Sequence, residues 1–259
     1  MPINKKTKRV LIVGSKGYLG SEIYKYLSKR KEIYVFGIDN YLYGKTSYNN
    51  NYQKNFKKID CRKITNKFLA SFDFVIFLAG LSNNPIDDIF PNKAYKVVEK
   101  YTINFAKKCK LSGVKFIFPS SCSVYGYGKK EFNERSKLNP LTYYSRNKVN
   151  IEKKLLTFSS KKFSPLILRF ATVYGFSNSI RLDLVVNMFL GMVLNNKKII
   201  LNSDGTAKRP HVSINYICKV IEYFLNNYPS KVEIINVGEA QNNCEIIKLA
   251  RLIKSLDKK

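Results

Sequence analysis

The sequence predicts an α/β fold: a Rossmann-like doubly wound parallel sheet with a small C-terminal substrate lobe that is short at its end. Three observations predict it. Strand-like and helix-like segments alternate from the first residues. The first strand-like run, "RVLIVG", is continuously apolar and ends in glycine, as in a strand buried on both faces. Regularly spaced glycines then open a helical pattern.

Taken in order, "YLGSEIYKYLSKRK" carries apolar residues at helical spacing, and "EIYVFGID" and "NFKKID" read as the second and third strands. "FDFVIFLAG" and "VKFIFPSS" are the fourth and fifth. Between them, residues 86–112 place Ala94, Val97, Val98, Tyr101 and Phe105 on one helical stripe. A helix over 142–159 follows, then "SPLILRF" as the sixth strand. Residues 1–170 thus form the main unit. From 171 to 259 the rhythm loosens. "SIRLDLVVNMFLGMVLNN" reads as a helix, "KKIIL" as a short strand and "NSDGTAKRP" as a loop. "VSINYICKVIEYFLNN" reads as a helix, "EIINVG" as a strand and "CEIIKLARLIKSL" as a closing helix. This segment divides into a substrate lobe over about 176–210 and the last sheet strand and helices over 211–259.

Composition bounds the function. A chain of 259 residues with 45% hydrophobic content can bury a substantial core. Lys+Arg is 46 against 18 Asp+Glu, a net +28. The lysines are scattered, with no basic run beyond "NKKTKR". They read as a solvated surface in a Lys-, Asn- and Ile-rich composition, and nucleic acid is not the expected partner. The five cysteines form no C-x-x-C pair, which fits free thiols in a reducing compartment; no metal site is expected. The apolar run Val10–Val13 is too short for a signal-peptide core, and no stretch is long enough to span a membrane. The expected location is cytoplasmic.

"VLIVGSKGYLGSEI" spaces Gly14, Gly17 and Gly20 as G-x-x-G-x-x-G between a strand and a helix. That context suits a pyrophosphate held at a helix N-terminus. Asp39 closes the second strand 19 residues past Gly20, where a carboxylate accepts both ribose hydroxyls of adenosine and repels a 2′-phosphate. This favours NAD, with residues 1–170 as its domain. Asp60, ending the third strand, is placed to reach the adenine amine. The fifth strand ends in "FPSSCSVYG", which brings Ser120, Ser121 and Ser123 to the C-terminal edge of the sheet. In "PLTYYSRNKVNIE" only Tyr144 lies four residues before Lys148, on the same helical face. A neighbouring ammonium favours the phenolate, so Tyr144 is the candidate general base.

Together these motifs resemble the extended short-chain dehydrogenase/reductase family, specifically its NAD-dependent nucleotide-sugar epimerases and dehydratases. The motifs are "GSKGYLG", "FLAGLSN", "PSSCSVYG", "YYSRNK", "LRFATVYG", "RLDLVVN", "DGTAKRP" and "NVG", over residues 10–238. The resemblance implies Ser121, Tyr144 and Lys148 as the catalytic set. It implies cofactor contacts from Gly14, Gly17, Tyr18, Leu19, Gly20, Asp39, Asn40, Asp60, Cys61, Leu78, Ala79, Gly80 and Phe170, besides Tyr144 and Lys148. It implies substrate contacts from Ser82, Ser121, Ser123, Tyr144, Thr172 and Arg209, the last gripping a nucleotide diphosphate. It further implies a homodimer through the helices at 91–112 and 142–159.

The implied reaction is NAD-dependent epimerisation or oxidoreduction by transient hydride transfer from a sugar carbon. A nucleotide-sugar 4,6-dehydratase is the alternative, but Cys122 and Ser123 stand where dehydratases of this kind carry an Asp-Glu pair. From another class, a catalytically idle NAD-binding protein with an RNA- or partner-binding role would not need the Ser–Tyr–Lys set. Cys122 is expected to pack. Val98 stands where an asparagine of the cofactor shell is usual, and Ser213 and Tyr216 replace a usual His and Asp. His211, the lone histidine, is expected to be a surface or packing residue.

Overall fold

The computed structural model describes residues 7–42, 53–81, 91–128 and 131–256. Along the chain the elements are β1 (Lys8–Val13), α1 (Tyr18–Leu27), β2 (Ile33–Asp39), β3 (Phe56–Lys58), α2 (Asn66–Leu69), β4 (Phe74–Phe77), α3 (Pro91–Leu111), β5 (Lys115–Ser121) and α4 (Tyr143–Thr157). They continue with β6 (Leu166–Phe170), β7 (Thr172–Tyr174), α5 (Val185–Leu194), β8 (Lys208–Arg209), β9 (His211–Ser213), α6 (Ile214–Asn226), β10 (Glu233–Val237), β11 (Cys244–Glu245) and α7 (Ile246–Ser255).

Seven strands form one sheet in the order β10-β6-β5-β4-β1-β2-β3. Every pairing within it is parallel. The chain starts in the middle, winds out to β3, returns to β4 and winds to the other edge. The order reverses between β1 and β4, and ligands of open α/β sheets bind at the strand C-termini beside such a reversal.

The period-two geometry of a strand explains the continuous apolar runs. Val10 and Ile12 of β1 pack with α1 and α6 on one face, while Leu11 and Val13 pack with α3 and α4 on the other. Phe74 and Ile76 of β4 divide from Val75 and Phe77 in the same way. Both faces are therefore core, and a polar residue at either parity would have to be paired.

Beyond β6 the chain serves two packing units. β10 extends the sheet and α6 covers it, with Val212, Ile217, Ile221 and Val237 in the same core as β1. A separate cluster joins Phe189 and Val193 of α5 to Leu249, Ala250 and Ile253 of α7. The strand expected over "KKIIL" does not form: Ile199 and Leu201 lean onto the α5–α7 cluster, and the pairing β-structure lies further on, in β8 against β11. The helix expected from residue 179 begins at Val185, because the Asn187 side chain donates to the Arg181 carbonyl and holds 181–184 out of the helix. Val97, expected on the buried stripe of α3, is half exposed; the buried stripe runs through Tyr95, Val98, Thr102, Phe105 and Cys109.

Candidate active site

The glycine loop is shaped by backbone contacts that leave no room for side chains. Gly14 has φ of 87°, and a Cβ there would meet the Ala79 nitrogen at 2.8 Å. A Cβ on Gly20 would stand 2.1 Å from the Gly14 carbonyl oxygen. Leu78, Ala79 and Gly80 thus lie directly behind the loop, half-buried at the end of β4. Gly17 is the N-cap of α1 and offers no side chain to its first amides, so the helix N-terminus suits an anionic diphosphate.

Asp39 sits beside this loop at the end of β2. Its Oδ2 accepts from the Lys16 amide at 3.0 Å and its Oδ1 from the Tyr41 amide at 2.7 Å. The carboxylate is fixed in place with lone pairs left for two ribose hydroxyls. Asn40 is exposed, and its side chain accepts from the Leu42 amide. Asp60 caps a short 3₁₀ turn and is gripped by the Arg62 guanidinium, which holds its carboxyl below the usual range. That engagement competes with the adenine contact expected of it. Cys61 follows, its thiol pushed up to about 12 by burial. Leu19 packs against the core. The Tyr18 hydroxyl donates to the Gly175 carbonyl at 2.9 Å and accepts from Asn187 Nδ2 at 3.2 Å, so its side chain ties the loop to the lobe.

At the C-terminal end of β5, Ser121 caps the 3₁₀ turn Cys122–Tyr125, accepting from the Ser123 amide at 3.2 Å. The Ser121 hydroxyl lies near the Tyr144 phenol and acts to lower its pKa. Tyr144 is held in the first turn of α4, which Thr142 and Ser145 start with a reciprocal capping box. One helical turn on, the Lys148 ammonium lies 5.5 Å from the Tyr144 ring centroid and 4.7 Å from that of Phe118. It donates to the Pro119 carbonyl at 2.7 Å. The structure therefore brings Ser121, Tyr144 and Lys148 together. Phe170 pairs with Ser121 across β5 and β6, buried at the same sheet edge.

Opposing effects set the titration of the pair. Burial raises the Tyr144 phenol, while the Ser121 hydroxyl and the Arg181 charge pull it down. Burial lowers Lys148 to about 8, opposed by the Glu152 carboxylate. Glu152 went unread in the sequence, yet it lies one turn beyond Lys148 and is almost wholly buried. It accepts from Arg169 Nε at 3.1 Å and Arg169 Nη2 at 2.7 Å, and from the Ser120 hydroxyl. Arg169 also donates to the Tyr125 hydroxyl at 2.8 Å, which donates to Asn236 at 2.7 Å. A paired ion network thus lies behind Ser121, Tyr144 and Lys148. Two signals pointed to it: an arginine inside the apolar run "LILRF", and a glutamate four residues after Lys148.

The remaining expected residues lie further out. Thr172 is half-buried on β7 and pairs with His211 of β9; Arg209 is exposed on β8, two residues before that histidine. Ser123 is exposed and Ser82 lies outside the described residues. His211 is a packing residue, with Nδ1 3.1 Å from the Asn242 carbonyl and a pKa lowered by burial. Cys122 donates its thiol to the Arg169 carbonyl, and burial pushes it up to about 12. Val98 lies against Gly80. Ser213 caps α6, accepting from the Tyr216 amide.

A family model described as the NAD dependent epimerase/dehydratase family matches residues 10–238. The chain belongs to this family. Its sheet order and glycine loop are those of a dinucleotide-binding enzyme, and its cofactor is NAD. Among its relatives is the uncharacterized UDP-glucose epimerase YtcB of Bacillus subtilis (strain 168), 26% identical over 264 residues, covering 96% of this chain and 82% of that one. A dTDP-D-glucose 4,6-dehydratase of Dictyostelium discoideum is 28% identical over 273 residues, covering 93% of this chain and 60% of the relative. Among solved structures, the UDP-N-acetylglucosamine 4-epimerase from Methanobrevibacter ruminantium M1, in complex with UDP-N-acetylmuramic acid, superposes with a TM-score of 0.85. It is 25% identical, with 98% of this chain and 83% of that chain covered. This epimerase/dehydratase is thus one of a class of enzymes that act on nucleotide sugars.

Proposed function

We propose that the protein is a nucleotide-sugar epimerase, or a simple oxidoreductase of the same chemistry, with Tyr144 as its general base. The observation that carries this reading is the convergence of Ser121, Tyr144 and Lys148 at the end of β5, at the same C-terminal edge of the sheet as the glycine loop that follows β1. When bound, NAD accepts hydride from a sugar carbon and can return it to the opposite face. Tyr144 takes the proton of the hydroxyl on that carbon and gives it back in the second half-reaction. Ser121 donates to the same oxygen, the Arg181 charge opposes the upward push of burial on the phenol, and the Lys148 ammonium one turn on supplies a further positive charge beside the ring. Gly14, Gly17 and Gly20 admit the cofactor diphosphate, and Asp39 accepts the ribose hydroxyls. Arg209 and Thr172 supply the substrate side. Cytoplasmic residence fits the free state of all five cysteines.

The dehydratase alternative needs an acid and a base placed for elimination. Cys122 and Ser123 occupy the relevant positions, and a thiol pushed up to about 12 and bonded to the Arg169 carbonyl suits neither role. Epimerisation is therefore the preferred reading. Incubating the protein and NAD with a panel of UDP-, dTDP- and GDP-sugars, followed by product analysis by NMR, tests it. An isomer at one sugar carbon supports the proposal. A 4-keto-6-deoxy product would move it to dehydration, and no turnover on any sugar would overturn it.

A further inference from the structure

Lys16 lies inside the glycine loop and is only 5% exposed, although lysine is almost never that buried without compensation. The compensation is at the end of β2 and the start of β3. The Lys16 amide donates to Asp39 Oδ2 at 3.0 Å, so its side chain starts beside that carboxylate. Its ammonium lies 4.6 Å from the ring centroid of Phe56, the first residue of β3. Burial lowers the Lys16 pKa, and the Asp39 charge opposes the fall.

A second lysine borders the same carboxylate. In the parallel pairing of β2 with β3, Lys58 is the register partner of Asp39. Neighbouring strands lie about 4.8 Å apart, and residues in register point to one face of the sheet. The exposed Lys58 ammonium lies 5.7 Å from the Tyr41 ring centroid. The Tyr41 and Phe56 rings meet edge to face at 5.7 Å. Cations and rings thus alternate around Asp39 in the order Lys16, Phe56, Tyr41, Lys58. Tyr41 has φ of 58°, a left-handed conformation uncommon for a bulky residue. Asp39 Oδ1, which accepts the Tyr41 amide at 2.7 Å, and the Phe56 ring hold it there. Asp60, two residues beyond Lys58, has its own charge taken up by Arg62.

An acid at the end of the second strand holds two ribose hydroxyls and repels a 2′-phosphate, which is why Asp39 points to NAD. In this protein that acid stands between two lysines. One carboxylate against two ammonium groups leaves the surroundings of the ribose 2′ position net positive. A phosphate monoester there would lose a hydroxyl contact with Asp39 and gain two point-charge donors of the kind that suits phosphate. We infer that the cofactor site also accepts the 2′-phosphorylated dinucleotide, NADP, with an affinity within about tenfold of that for NAD, and that Lys16 and Lys58 set this tolerance. The inference rests on the reading of Asp39 as the ribose acceptor and not on the choice of sugar.

The test is calorimetric titration of the nucleotide-free full chain with NAD and with NADP, in the absence of any sugar. Both are expected to bind, with a ratio of NADP to NAD dissociation constants below about ten. Lys58→Gln, at an exposed position, should raise that ratio about tenfold or more. Lys16→Met, which keeps an apolar stem over Phe56, should raise it by a similar factor. Asp39→Asn should lower the ratio, because a carboxylate no longer opposes the phosphate. The NADP constant should also rise more steeply with salt than the NAD constant. A parent ratio above about ten would overturn the proposal, and so would a ratio that neither lysine variant moves. A parent chain that binds neither nucleotide would overturn the ribose reading of Asp39 together with the proposal. Because no sugar is present, none of these constants depends on whether the protein is an epimerase.

Discussion

Burial takes Lys148 down to about 8, so at pH 7 most molecules carry the ammonium and above pH 8 most do not. Two consequences have opposite signs. The unfolded side chain titrates near ~10.4, so between about 8 and ~10.4 the unfolded state binds more protons, and this group's contribution to stability rises with pH there. Activity should move the other way, because Tyr144 loses the neighbouring charge that favours its phenolate. kcat/KM is expected to fall through an alkaline limb near pH 8, with no matching loss in urea midpoint. Lys148→Met should lower kcat by at least about 100-fold and remove the limb; a limb that persists in the variant would assign it elsewhere. Tyr144→Phe should cost a similar or larger factor in turnover while leaving the NAD dissociation constant, read by fluorescence titration, within about twofold. In the glycine loop, Gly20→Ala drives a Cβ into a backbone oxygen that cannot step aside, so NAD affinity should fall at least about tenfold in the same titration.

At the scale of elements, α4 carries two kinds of information on its inward side. Tyr144 and Lys148 face the C-terminal end of β5, and Glu152 continues the stripe into the core, where Arg169 of β6 meets it. Removing one partner of such a pair leaves a buried charge alone. Glu152→Gln is therefore expected to cost about 3–5 kcal/mol in urea unfolding, whereas replacing both Glu152 and Arg169 with methionine should recover most of that loss. Because Glu152 holds the Lys148 pKa up, the alkaline limb should also move to lower pH in Glu152→Gln, an effect that a purely structural partner would not produce. The strands and the helices at 18–27, 91–111 and 143–157 were legible because backbone periodicity and burial impose their pattern on every turn. So were Tyr144 and Lys148, whose spacing is local to one helix. The Glu152–Arg169 pair was harder, since its partners are 17 residues apart and meet only when α4 lies on β6. "KKIIL" misled for a related reason: its β-propensity is real, but no neighbouring strand accepts it, and packing on α5 and α7 decides instead. The contacts of the Tyr18 phenol were not legible, because its partners arise about 160 residues later, in a segment whose placement no local pattern encodes.

Across the whole molecule, the glycine loop is where the sheet and the α5–α7 lobe are joined. Tyr18 binds Gly175 and Asn187, Ser21 meets Ser177 at 2.8 Å, and the Ser179 hydroxyl donates to the Lys16 carbonyl at 2.6 Å. Asn187 is the centre of this joint. It accepts from the Gly175 amide while donating to both Tyr18 and the Arg181 carbonyl. The loop proposed to receive the cofactor diphosphate is therefore braced by the lobe proposed to receive the sugar, and ordering one end should order the other. Saturating NAD, at about 100 times its dissociation constant, is expected to stabilise the native state by about 2.7 kcal/mol and to raise the unfolding temperature of sheet and lobe in one cooperative transition. Asn187→Leu removes three hydrogen bonds from a buried position and leaves their partners unsatisfied, so the joint should fail before either packing unit does. In that variant NAD should still protect β1, β2 and α1 from hydrogen exchange, while the amides of α5 and α7 exchange at the same rate with and without NAD. Protection of α5 and α7 by NAD that survives the substitution would show that the lobe is ordered through some other contact than Asn187.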